Sequence, residues 1–315
     1  MDSIAADSIA SVSLGEADSD PERFAERIGR SFEDFGFAII ADHGIADELV
    51  HRAEEKAKAY FALSDDTKCK YHLPGGGGAR GYTPFGIETA KGAKVHDLKE
   101  FWHVGRDLPP GHRFRDHMPD NVWPQEVNSF RDTFRELFAA FDRTGLTILR
   151  AIARHLKIDE NYFIGAVSDG NSVLRLLHYP PIGNEPGSHV RAGAHEDINA
   201  ITLLLGAEEA GLELLTMDGR WIPVSPEPGE LVVNIGDMLQ RLTNGVLRST
   251  SHRVVNPPPE RRSRSRYSMP FFLHFRSDFL IEALPDTVPE GEEPKWPPIT
   301  ANDYLQQRLR EIKLA

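Results

Sequence analysis

The tripeptide His195-Glu196-Asp197 sets an imidazole and a carboxylate two positions apart, and the imidazole of His252 follows 55 residues after Asp197. On an extended strand, side chains alternate between faces, so His195 and Asp197 share one face while Glu196 turns to the other. Two imidazoles and one carboxylate on one side of a cation form a donor set suited to non-haem iron(II). Three coordination positions stay open for a co-substrate and dioxygen. Arg266-Tyr267-Ser268 comes 14 residues after His252 and repeats the spacing. A guanidinium and a hydroxyl on one face receive a carboxylate well, because the planar fork binds both oxygens and the hydroxyl adds a third hydrogen bond. A dicarboxylic 2-oxo acid, 2-oxoglutarate, would chelate the iron through its keto acid end and reach that receptor with its far carboxylate.

Singly these signals are weak. An HxD tripeptide is common by chance, a lone strand histidine is more often structural than a ligand, and His274 competes with His252 as third donor. Their order within β-patterned sequence carries the reading. From about residue 172 short apolar runs alternate with turn signals at Pro180-Pro181, Asp218-Gly219, Asn244-Gly245 and Pro257 to Pro259, the pattern of a β-sandwich or barrel. Leu212 to Leu215 and Trp221 to Val224 flank a hairpin turn at Met217 to Arg220.

The first half reads as mostly helical. Asp20-Pro21 opens a helix whose Phe24, Ile28, Phe32 and Phe35 share a face and which Gly36 ends; a strand spans Phe37 to Ala41 and a second helix Asp47 to Leu63. Phe130 to Leu156 traces a long apolar helical face, one helix or two in series. Residues 74 to 86, with Gly75 to Gly78 and Arg80-Gly81-Tyr82, read as a mobile loop and not a phosphate cradle, since neither a preceding strand nor a following helix is evident. A proline-rich loop from Pro285 to Pro298 precedes a last helix capped by Thr300 and Asp303, presenting Leu305, Leu309 and Ile312.

Composition narrows the function. The formal charge of -12 argues against a general nucleic-acid binder, and the basic run Arg261, Arg262, Arg264 and Arg266 is read as a solvated face from which Arg266 has the better use above. No run of about 18 apolar residues suggests a membrane span. The N-terminus carries acids where an export signal would be basic. The lone Cys69 cannot form an internal disulfide, which suits a reducing cytoplasm and a ferrous site. A small-molecule substrate is expected; the sequence leaves the oligomeric state open.

The chain resembles the isopenicillin N synthase-like branch of the 2-oxoglutarate and iron(II)-dependent dioxygenases over most of its length. Phe35-Gly36-Phe37 through His43-Gly44-Ile45 is similar to that family's GFF…NHGI stretch, Arg80-Gly81-Tyr82 to its glycine-tyrosine loop, and Leu177-His178-Tyr179-Pro180-Pro181 to its NYYPP strand. The resemblance implies an α+β fold with a mainly β core, a double-stranded β-helix (jelly-roll) barrel flanked by N-terminal helices and closed by a C-terminal helix. On that plan, 1–165 packs on the barrel, 166–284 is the oxygenase core and 285–315 the loop and closing helix, all one compact unit. It implies iron(II) on His195, Asp197 and His252. It also implies 2-oxoglutarate on Arg266, Ser268 and Tyr179, dioxygen as co-substrate with ascorbate as a stimulant, and oxidation of the substrate with release of succinate and carbon dioxide. Leu177 stands where the family has asparagine, which removes a polar contact. Arg80, Tyr82, Phe101, His103, Gln240 and Phe272 are candidates to line the substrate mouth. Two other readings stay open: an iron oxidase of the isopenicillin N synthase type that uses no 2-oxoglutarate, and a catalytically silent barrel that binds a small ligand.

Overall fold

The computed structural model describes residues 8–74, 78–87, 97–182, 190–205 and 211–311; the expectations on glycines 75–77 and on Ile312 fall outside them. The strands in chain order are β1 Ser11–Ser13, β2 Phe37–Ala41, β3 Gly81–Thr83, β4 Glu100–Gly105, β5 Val173–Tyr179, β6 Ala192–His195 and β7 Ile201–Leu205. They continue with β8 Leu212–Leu215, β9 Trp221–Pro223, β10 Leu231–Ile235, β11 His252–Val254, β12 Arg266–Leu273, β13 Leu280–Ile281 and β14 Ile299–Thr300. The helices are α1 Glu16–Ser19, α2 Pro21–Phe35, α3 Asp47–Phe61, α4 Asp65–Cys69, α5 Phe130–His155, α6 Tyr162–Val167, α7 Asp237–Leu242 and α8 Ala301–Glu311.

Local chemistry explains the boundaries. The Asp20 side chain accepts from the Arg23 N–H at the start of α2 and Pro21 takes the first helical position, where no donor is needed. Gly36 ends the helix at a φ of 70°, and a side chain there would lie 2.5 Å from the Arg248 carbonyl oxygen, so only glycine lets the chain turn at once into β2. Thr300 accepts from the Asp303 N–H to cap α8. The apolar run from Phe130 is one helix.

Eight strands form a large sheet in the order β1-β2-β10-β7-β12-β5-β4-β3, mostly antiparallel, and four form a second in the order β6-β11-β8-β9. The alternation of side chains gives the large sheet two different surfaces. Its outer face, with Leu174, Leu176, Leu203, Phe271 and Leu273, packs with α2, α3 and α5 into the main core. Its inner face meets the small sheet through Phe37, Ile39 and Val232 against Leu214, Ile222 and Val224. Strands from the helical half complete the large sheet at both edges.

The jelly roll differs from expectation in two respects. Among the described residues the two sheets share no hydrogen-bonded edge, so the core is an open sandwich and not a closed barrel. Gly81–Thr83, read as loop, is an edge strand on β4, because Tyr82 opposite Trp102 packs into an aromatic cluster with Tyr60.

Phe271 is fully buried where β12 meets α5, stacked on Phe141 and edge-on to Phe138. Phe271→Ala should lower unfolding free energy by about 3–5 kcal/mol. An unfolding free energy, from urea titration, lowered by less than about 1 kcal/mol would show that this contact does not anchor the sheet to the helix. His274, just past β12, is buried, donates Nδ1–H to the Phe272 carbonyl at 3.1 Å, and is held by burial down to about 4 from 6.5. The unfolded chain therefore takes up this proton first as pH falls from 6.5, and stability is lost progressively down to about pH 4, by on the order of 3 kcal/mol. His274→Asn should be less acid-sensitive than the parent in that window; equal slopes of stability against pH would place the proton uptake elsewhere.

Candidate metal and co-substrate site

His195 is the last residue of β6 and His252 the first of β11, and the antiparallel register sets the two opposite each other. Their ring centroids lie 4.4 Å apart. Asp197 sits two residues beyond the end of β6, so it shares the His195 side through the loop and not through a continued strand. Each histidine Nε2 stands 3.8 Å from Asp197 Oδ1, and the three donor atoms all lie within 4.8 Å of one another.

Every other polar atom of the trio is already engaged. His195 Nδ1 meets the Gly193 carbonyl at 2.8 Å and His252 Nδ1 the Thr250 carbonyl at 3.1 Å. A carbonyl only accepts, so both Nδ1 atoms carry the proton and both Nε2 lone pairs face the cluster. Asp197 Oδ2 accepts from Thr202 Oγ1 at 2.5 Å and from Asn234 Nδ2 at 2.8 Å, which leaves Oδ1 for a cation. Asn199 Nδ2 donates to Thr202 Oγ1 at 3.0 Å, directing that hydroxyl's own proton to Asp197. Thr202 and Asn234 lie opposite each other on β7 and β10. No spacing rule in the sequence singles them out.

Crowding by the surrounding protein, and then the nearby His252, lower His195 from the ordinary histidine range and favour its neutral form, although its side chain is still 38% exposed. Burial alone would raise the Asp197 carboxyl. The two imidazoles and the hydrogen bonds from Asn234 and Thr202 outweigh it, and the net shift is downward. Neutral imidazole beside ionised carboxylate is the state that binds a cation. His274 does not join this group.

Arg266 and Ser268 are buried on one face of β12, with Arg266 Nη1 donating to Ser268 Oγ at 3.1 Å. Tyr179 is the cross-strand partner of Arg266, and the guanidinium lies 5.1 Å from its ring centroid. Leu177, opposite Ser268, joins Tyr179 and Phe101 in a small apolar cluster, so this position offers hydrocarbon where an amide would bond. Behind these strands the buried Glu100 accepts from His178 Nδ1 at 2.7 Å, from Lys68 Nζ at 2.8 Å and from the Tyr82 hydroxyl. Burial opposes ionisation of Glu100, but these donors prevail and hold its carboxyl below the usual value. His178 Nε2 also meets Ser265 Oγ at 3.0 Å, so the network ties β4 and β5 to the residue before Arg266.

Of the six residues considered for the substrate mouth, Phe101, His103 and Phe272 gather around an arginine not selected from the sequence. The Arg175 guanidinium lies 4.3 Å from the Phe101 ring centroid and 5.3 Å from that of Phe272, and its Nε–H donates to His103 Nε2 at 2.6 Å. Counting back by twos from Tyr179 along β5 would have found it. The other three stand apart. Tyr82 faces the opposite side of the sheet, on Glu100 and Trp102. Arg80 is buried with its guanidinium against Gly105, where burial lowers it to about 10. Gln240, on α7, accepts the Ser249 N–H at 2.9 Å.

Two family models match the chain: the N-terminal region described as "non-haem dioxygenase in morphine synthesis" over residues 8–126, and the 2OG-Fe(II) oxygenase superfamily over residues 170–275. The chain is 32% identical over 299 residues to the 2-oxoglutarate-Fe(II) type oxidoreductase hxnY of Emericella nidulans, covering 92% of this chain and 84% of that protein. Among solved structures it resembles a 2OG-Fe(II) oxygenase family protein from Caulobacter crescentus, with 57% identity, a TM-score of 0.90, and 96% and 99% of the two chains covered. A full-length Neurospora crassa protein, solved in complex with alpha-KG and thymine, is 30% identical with a TM-score of 0.86, over 96% of each chain. The chain belongs to the 2OG-Fe(II) oxygenase superfamily and is an oxidoreductase that uses iron(II), 2-oxoglutarate and dioxygen.

Proposed function

We propose that His195, Asp197 and His252 hold the iron, that Arg266, Ser268 and Tyr179 receive the far carboxylate of 2-oxoglutarate, and that Phe101, His103, Arg175 and Phe272 seat the molecule to be oxidised. The observation that carries this reading is the division of labour at the trio. Three donor atoms converge, while the remaining polar atoms of the same side chains are tied to the protein. When bound, ferrous iron with 2-oxoglutarate and dioxygen supplies the oxidising power, and the co-substrate leaves as succinate and carbon dioxide.

The side chains supply the rest. Arg266 and Ser268 fix one end of the co-substrate by charge and hydrogen bonding, and Tyr179 adds a hydroxyl. The apolar surface of Leu177 and Phe101 keeps bulk water from the receptor. The Arg175 cluster combines aromatic faces with donor and acceptor groups, a surface suited to a flat, polar small molecule. The thymine complex of the Neurospora crassa relative supports a substrate of that physical kind.

Succinate formation should require Fe(II) and 2-oxoglutarate and stop on chelation. Arg266→Ala should raise the KM for 2-oxoglutarate roughly 10- to 100-fold, the loss of a charge-assisted interaction of about 1.5–3 kcal/mol. An unchanged requirement would sink the carboxylate-receptor assignment and favour an oxidase that does without the co-substrate. Screening flat polar molecules for stimulated succinate release would identify a substrate. With one in hand, Arg175→Lys should raise its KM about tenfold or more while leaving the KM for 2-oxoglutarate within about twofold. Equal effects on both, or on neither, would remove Arg175 from substrate recognition.

A further inference from the structure

We infer that the C-terminal helix α8 is a clamp on the metal site and that Asp237 is the positioning residue through which it acts; the inference rests on His195, Asp197 and His252 being the metal ligands. The segment carrying Asp197 is gripped along its backbone by the turn from β10 into α7. Asp237 N–H donates to the Asp197 carbonyl at 2.7 Å, Met238 N–H to the Asn199 carbonyl at 3.1 Å and Gly236 N–H to the Ala200 carbonyl at 2.9 Å. Asn234, two residues before Gly236, adds the side-chain bond to Asp197 Oδ2. Gly236 makes the approach possible, since a side chain there would lie 2.1 Å from the Asn199 carbonyl oxygen, a backbone atom with nowhere to go.

The Asp237 side chain is held by α8, with Ser249 beside it. Its buried Oδ2 accepts from the Tyr304 hydroxyl at 3.1 Å and lies 3.3 Å from Arg308 Nη2. Arg308 is also paired with Glu311 within the helix. One residue therefore bonds an iron ligand through its amide and the C-terminal helix through its carboxylate. Ala301 and Tyr304 are the buried residues of α8 and Leu305 packs partly buried beside them, so the helix makes a small apolar contact with the main core and its polar grip on Asp237 is the more specific one. Once that grip is released, α7 can shift at its first turn and the 197–200 segment samples arrangements in which Oδ1 no longer faces the two imidazoles. Apparent metal affinity then falls in proportion to the fraction of molecules still competent to bind.

The test is Mn(II) binding to the full chain, followed by electron paramagnetic resonance, for the parent, a Tyr304→Phe/Arg308→Gln double variant and His252→Ala. Measured well below its own metal-free melting temperature, the double variant should bind Mn(II) about tenfold more weakly, with faster amide exchange confined to Asp237 and its neighbours, a pattern that a loss of global stability would not give. If the double variant does not fold, Arg308→Lys is measured instead, with the same expected direction. Parent-like Mn(II) affinity in a folded variant, with His252→Ala strongly impaired, overturns the clamp alone. Parent-like affinity in His252→Ala overturns the metal-site assignment beneath it.

Discussion

The site depends on the antiparallel register that sets His195 against His252. A one-residue slip between β6 and β11 would turn one imidazole to the far side of its strand and leave Asp197 with a single partner. β11 is only three residues long, too short to hold its own register. It is fixed from both sides, by β6 and by β8, where His252 also pairs with Leu214, and the Phe37 ring stands edge-on to the His252 ring at 5.5 Å. The contact between the two sheets thus reaches the His252 ring itself.

The same economy runs through the large sheet, whose two faces carry different loads. Its outer surface is closed by α2, α3 and α5 and provides the burial that holds the fold. The inner surface of the same strands is free to be polar, and there Arg175, Arg266, Ser268, Thr202 and Asn234 are spaced by the two-residue alternation. The Glu100 network is the exception, a charged group on the outer face satisfied by three donors. Breaking one of those contacts would expose an uncompensated buried charge. At that row the register behind Tyr179 and Arg266 is set by directional bonds as well as by hydrophobic packing.

The trio is held in place by its own hydrogen bonds. Burying a carboxylate between two imidazoles is unfavourable unless its lone pairs are met, and Thr202 and Asn234 meet those of one oxygen while the other faces the two imidazoles. His195 is held below the ordinary histidine range, so a cation bound there would have one competing proton fewer to displace.

Much of this was legible in the residues alone. The candidates His195, Asp197, His252, Arg266 and Ser268 could be named from residue type and spacing, although Asp197 reaches the His195 side through a loop and not by strand alternation, and helix caps such as Asp20 and Gly36 are equally local. Which side chains meet across strands is not local. The convergence of Phe101, His103 and Phe272 on Arg175, the turning of Tyr82 to the opposite face and the reach of α8 to Asp237 depend on which strands lie beside which. Pairing between distant segments is decided by the packing of the whole chain. A sequence shows what each residue offers at its own position, and only the folded chain decides which residue receives it.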